Sequence, residues 1–191
     1  MKLVLNGKII AILVADGFEQ VELTGPKKAL EQAGAQTHIV SPAKDTVQGW
    51  NDFEHADKFH VDVPLEHARA DDFDALLLPG GVANPDQLRT IPRALQFVRT
   101  FFIAGKSVAA ICHGPWTLID AEVVRGRNVT SWPSLKSDLT NAGAKWLDRE
   151  VVVDNGLVTS RKPADIPLFN RKMLELFAEA RQGITTSARA V

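Results

Sequence analysis

The chain has 191 residues, 45% of them hydrophobic and 24% charged, a composition that suits one soluble domain burying about 70% of its unfolded surface. A formal net charge of −1 supplies no global pull toward nucleic acid or anionic lipid, and no run approaches the ~18 apolar residues that span a bilayer. One cysteine, Cys112, cannot close an internal disulfide, so a reducing cytoplasm is the expected setting.

The opening "MKLVLNGKIIAILVADGFEQ" imitates a secretory leader, but its apolar stretch is short and runs into Asp-Gly and acidic residues, so 8–15 is read as a buried strand. Thr24 reads as an N-cap with Pro26 in the first turn, and Gly34 closes that helix. A strand over 37–40 follows. Residues 42–73 are polar and irregular, an excursion with short strands of its own. "DALLLPGG" (74–81) is a strand ending in a Gly80-Gly81 turn. The next helical stripe places Leu88, Ile91, Leu95, Val98 and Phe102 on one face and stops at Gly105. "SVAAICHG" (107–114) and 128–132 are further strands. "EVVVDNGLVTS" carries the Asn155-Gly156 hairpin signal. A last helix buries Ile166, Phe169, Met173 and Phe177, and residues 181–191 form a small polar tail. Apolar runs without alternation belong to strands covered on both faces. The alternation of strands and helices gives a doubly wound, mostly parallel α/β sheet with an antiparallel edge hairpin, as one domain over 1–180.

In such sheets the chemistry collects at the carboxyl ends of the strands. Three ends carry suggestive residues: Asp16 to Glu19, Gly80-Gly81 leading to Asn84 and Asp86, and Cys112-His113-Gly114. A strand that turns sharply into a helix lifts the turn residue out of the sheet. Gly114 relieves the crowding, and Pro115 opens the helix. Cys112 at that helix N-terminus is a candidate nucleophile, with its thiolate favoured by backbone N–H groups. The bland alternative is a buried structural cysteine. No histidine follows position 113, which makes adjacent His113 the economical base. Asp86 is a candidate to orient it, or else a helix N-cap. Glu19 is placed to tune the thiol, with Glu22 competing for that role. The N–H groups of Gly81 and His113 are candidate oxyanion donors beside Gly80. Trp116 is a candidate pocket wall. His55, His60 and His67 lack a metal-site spacing, "TFFIAGKS" lacks the first glycine of a phosphate loop, and Arg161 and Lys162 read as surface ion-pair partners. No cofactor is expected.

The stretches "ADGFEQVEL", "DALLLPGG", "AAICHGPW", "TSWPSLKSDLTNAGA" and "VTSRKPADIPLFN" together resemble the PfpI branch of the ThiJ/PfpI superfamily, from about Gly7 to Phe177. Its members are described as intracellular proteases, deglycases and general stress proteins. The resemblance implies a flavodoxin-like, class I glutamine amidotransferase-like sandwich. It implies Cys112 as nucleophile, His113 as its histidine and Glu19 as the glutamate touching the thiol. It also implies an acidic third member after the Gly-Gly turn, here Asp86 in place of the usual glutamate and often supplied by a neighbouring subunit in a homodimer or larger assembly. The implied reaction is hydrolysis, of peptides or amides or of glyoxal adducts on glycated proteins and peptides. Conversion of methylglyoxal to lactate, and a redox-sensing or chaperone-like stress role for Cys112, are the alternatives.

Overall fold

A computed structural model describes residues 4–179. The chain runs β1 (Ile9–Leu13), β2 (Phe18–Glu19), α1 (Gln20–Gln32), β3 (Gln36–Ser41), β4 (Thr46–Asn51), β5 (Glu54–His60), β6 (Val63–Pro64) and β7 (Ala75–Leu78). It continues through α2 (Ala83–Leu88), α3 (Pro92–Ile103), β8 (Ser107–Ile111), α4 (Pro115–Asp120), β9 (Asn128–Val129), α5 (Lys136–Asn141), β10 (Lys145–Trp146), β11 (Val151–Asp154), β12 (Leu157–Ser160) and α6 (Ile166–Glu179). Seven strands form the central sheet in the order β11-β12-β8-β7-β1-β3-β6, parallel throughout except for the β11–β12 pair at one edge.

Every residue of β7, β8 and β12 is buried, as the unbroken apolar runs require of strands covered on both faces. The period of two then sorts the side chains into two cores. Ala11, Leu13, Leu76, Leu78, Val108 and Ala110 pack with Phe97, Phe101, Leu118 and Leu139 of α3, α4 and α5. Ile10, Ile12, Leu77, Ala109 and Ile111 pack on the opposite face with Leu23 and Leu30 of α1 and with Phe169, Met173 and Phe177 of α6. The expected α6 stripe is fully buried. That of α3 is turned by about one position, with Ala94, Phe97, Val98 and Phe101 inward, and Leu88 belongs to the separate short α2.

The Asn155-Gly156 turn has φ of 46° and 81°, the left-handed pair that a two-residue hairpin demands. Two expectations change. Helix α1 starts at Gln20, so Thr24 lies inside it and bonds back to the Gln20 carbonyl at 3.0 Å instead of capping it. Residues 128–129 pair with β10 in a two-stranded ribbon and do not join the main sheet. The polar excursion carries the short strands expected of it, and β4 and β5 take up Phe18 and Glu19 as β2 in a separate three-stranded sheet.

One buried amide fixes the rim of the sheet. Asn84, fully buried in α2, accepts the Ala15 N–H through Oδ1 at 2.7 Å and donates through Nδ2 to the carbonyls of Pro79 and Gly80 at 2.9 and 3.0 Å. It thereby ties the end of β1 to the turn after β7. Replacing it with alanine strands these backbone groups away from water, at about 1–3 kcal/mol for a buried group left unpaired. Asn84→Ala is therefore expected to lose about 2–3 kcal/mol in urea unfolding, and Cys112 alkylation is expected to be disturbed along with it.

Candidate active site

Cys112 directly follows β8 and holds φ at 61°, a left-handed conformation that a non-glycine residue adopts only when its surroundings enforce it. Both of its backbone groups are tied. Its N–H donates to the Ser160 carbonyl at 3.0 Å, and its carbonyl accepts the Trp132 N–H at 2.8 Å. Gly114 follows as the N-cap of α4, and a Cβ there would stand 2.4 Å from the Leu78 carbonyl oxygen. Gly80 is equally confined, since a Cβ would lie 2.5 Å from Glu22 Oε2 and 2.6 Å from Cys112 Cβ. The sharp turn read from the sequence is present, and glycine is what lets the two strand ends close on it.

The thiol is 6% exposed. The amides of Gly81 and His113 both donate toward its sulfur. The carboxyl beside it is that of Glu22, not Glu19. Glu22, in the first turn of α1, is fully buried, lies in hydrogen-bond reach of the thiol, and accepts the Gly80 N–H on Oε2 at 2.9 Å. Oε1 has no N–H or O–H partner. Glu19 belongs to β2 and turns to the β4–β5 hairpin, where its Oε2 accepts the Asp52 N–H at 3.1 Å. Both glutamates have raised pKa values from burial, and that of Glu22 reaches about 8. Burial first, and then the Glu22 charge, push the Cys112 thiol up as well. Desolvation thus works against the thiolate expected at the helix terminus, while the two backbone donors favour it.

His113 places Nδ1 3.2 Å from Cys112 Sγ and Nε2 3.3 Å from Ser134 Oγ. Burial lowers its pKa, so the imidazole is neutral and able to take a proton. Its ring stacks on Trp132, with centroids 5.7 Å apart and planes 24° apart. Trp116 lies beside it at 6.3 Å, held by the Arg89 guanidinium 4.4 Å over its ring and by a 2.9 Å bond from Nε1 to Asp138. Asp86 does not reach the histidine. It is exposed within α2, past the helix start at Ala83, and so is neither an N-cap nor, within one chain, the third member of a triad. Sequence reasoning missed Ser134, Trp132 and the stitching role of Asn84. Among the described residues no group of three or more His, Cys, Asp and Glu could hold a metal. His55 instead lines an open groove of about 390 Å³ with Asp16, Thr46, Gln48, Trp50 and Lys58. Arg161 pairs with Asp165 and Asp148 at 2.9 and 2.6 Å. No helix among the described residues is long and apolar enough to cross a membrane.

The raised carboxyl has a consequence for stability. A group that holds its proton to about pH 8 when folded, but releases it near 4.5 when unfolded, makes the folded state lose stability as pH rises between those values. Glu22→Gln keeps the shape without the ionisation. Urea unfolding is therefore expected to show the variant gaining on the wild type from pH 5 to pH 8, by on the order of 1–3 kcal/mol. An equal difference at both pH values would contradict the assignment.

A family model described as "DJ-1/PfpI family" matches residues 8–176. A Bacillus subtilis protein named "Putative cysteine protease YraA" is 44% identical over 170 residues, covering 88% of this chain and 98% of that protein. A deglycase of Pyrococcus horikoshii is 42% identical, covering 87% and 98% of the two chains. The solved structure of Drosophila melanogaster DJ-1beta superposes with a TM-score of 0.80 at 26% identity, over 95% of this chain and 99% of that one. With the elbow, the sheet order and these similarities in agreement, the chain belongs to the DJ-1/PfpI family.

Proposed function

We propose that this chain is a stress-related, cysteine-dependent hydrolase that clears small carbonyl adducts from amines and peptides, with Cys112 as nucleophile. The observation that carries this reading is the thiol itself: strained, 6% exposed, backed by a protonated carboxyl and faced by a neutral imidazole at 3.2 Å. A residue so little exposed is reached by the slim end of a glyoxal adduct more readily than by an extended peptide.

His113 Nδ1 takes the thiol proton. The sulfur adds to the adduct carbon as its C–N bond breaks, and the amine leaves with that proton. A hemithioacetal remains on Sγ. Glu22 gives its proton to the neighbouring carbonyl oxygen and takes the one on the sulfur-bearing carbon, forming an enediol; it then protonates the former carbonyl carbon and takes the proton of the hydroxyl beside the sulfur, which leaves a 2-hydroxyacyl thioester without an external oxidant. Water then splits the thioester into a 2-hydroxy acid and the thiol, and in this reading the Gly81 and His113 amides, which donate toward the sulfur, steady the oxyanion. Free methylglyoxal enters the same route at the hemithioacetal. Peptide or amide hydrolysis is the second reading, favoured by the same pair of amides and by the similarity to the protein named as a protease. A second copy of the chain completes the site in this proposal. Among the described residues Asp86 has no side-chain hydrogen-bond or ion-pair partner, and it is exposed in the helix that follows the Gly80-Gly81 turn.

The test is release of lactate and free amine from methylglyoxal-treated N-acetyl-lysine, alongside a panel of fluorogenic peptide amides. Wild type is expected to release both products in equal amounts. Cys112→Ser is expected to fall to background, a loss on the order of a thousandfold or more, and Glu22→Gln to lose about 10²–10⁴-fold. Turnover of peptides alone would move the assignment to amide hydrolysis. Oxidation of Cys112 with no turnover of either substrate would replace it with a sensor. If Asp86 acts across an interface, mixing Cys112→Ser with Asp86→Ala is expected to recover part of the activity that each lacks alone.

A further inference from the structure

The His113 ring has two nitrogens, and this chain supplies one partner to each. Nδ1 faces Cys112 Sγ at 3.2 Å and Nε2 faces Ser134 Oγ at 3.3 Å, with no carboxylate among the described residues at either. A neutral imidazole carries one N–H. If Nδ1 is to accept the thiol proton, it must be bare, and the hydrogen must sit on Nε2. Once the ring is an imidazolium, Nε2 can only donate, and the Ser134 hydroxyl is the acceptor in place.

We infer that Ser134 is a positioning residue: its hydroxyl oxygen accepts from His113 Nε2–H, holds the tautomer that leaves Nδ1 open to the thiol, and steadies the imidazolium formed when Cys112 is deprotonated. It takes, within one chain, the place that an acid occupies in a Ser-His-Asp triad. The local fold supports this role. Ser134 lies in the 3₁₀ turn Pro133–Leu135, immediately after Trp132. That tryptophan is fastened to the elbow by its 2.8 Å bond to the Cys112 carbonyl and stacks on the same imidazole, so the loop and the histidine form one unit. The pairing requires nothing from Asp86.

The inference rests on the hydrolase reading only for its effect on turnover, so its test uses a signal that needs no substrate. ¹⁵N-labelled wild type, Ser134→Ala, Ser134→Thr and Asp86→Ala are compared by long-range ¹H–¹⁵N spectra at neutral pH. The His113 signals are assigned by their loss in His113→Gln. The Nε2–H form is expected to dominate in wild type, Ser134→Thr and Asp86→Ala, and to give way to a mixture in Ser134→Ala. Iodoacetamide labelling of Cys112 is expected to slow by about tenfold in Ser134→Ala and to recover in Ser134→Thr. On an adduct substrate the same variant is expected to lose kcat with little change in KM. An unchanged tautomer and labelling rate in Ser134→Ala would overturn the inference, as would dominance of the Nδ1–H form in wild type. A tautomer shift in a protein that turns over neither adducts nor peptides would uphold Ser134 and remove the hydrolase reading.

Discussion

The site depends on one backbone constraint, the left-handed turn at Cys112. A residue with a Cβ holds φ at 61° only because its N–H is bonded to the end of β12 and its carbonyl to the loop bearing Trp132. Those two bonds come from segments 20 and 48 residues further along the chain, so no local segment could set the geometry alone. Everything else at the rim fits around the lifted residue. Gly80 and Gly114 supply the space, Asn84 holds the neighbouring strand ends in register, and the first turn of α1 brings Glu22 beneath the sulfur.

The electrostatics follow from that packing. A carboxyl and a thiol share a pocket with little water, and two charges so close would raise each other's cost further, so burial pushes both pKa values up. A proton acceptor at the right distance offsets that cost. His113, neutral because it is buried between two indoles, meets that requirement.

Much of this is legible in the sequence. Unbroken apolar runs mark the central strands, Asn155-Gly156 marks the edge hairpin, and Cys-His-Gly-Pro after such a run marks the elbow. The errors have physical causes. Glu19 and Glu22 are three residues apart across a change of structure, and the local pattern does not show that 18–19 joins β4 before the helix begins at Gln20. Had the helix started earlier, both glutamates could have faced the thiol. Thr24 looked like a cap because Pro26 follows it, yet the helix begins four residues before Thr24 and carries Pro26 inside it. Ser134 and Asn84 act through long-range contacts, 21 residues from His113 and 69 from Ala15, and no short motif encodes them.

The division of the interior by the sheet has a mechanical meaning. Cys112 packs with the core of α1 and α6, whereas the helices that carry Trp116 and Arg89 pack on the opposite face. The nucleophile and the wall beside its histidine are therefore anchored to different halves of the molecule, joined through a stiff layer of buried strands. Looseness in the α6 half would shift the sulfur relative to its base while leaving the wall in place, and looseness in the α3 half would do the reverse. Alignment of the two is a property of the sheet's rigidity, and sequence drift in either core is filtered by whether the sheet still holds the two halves in step.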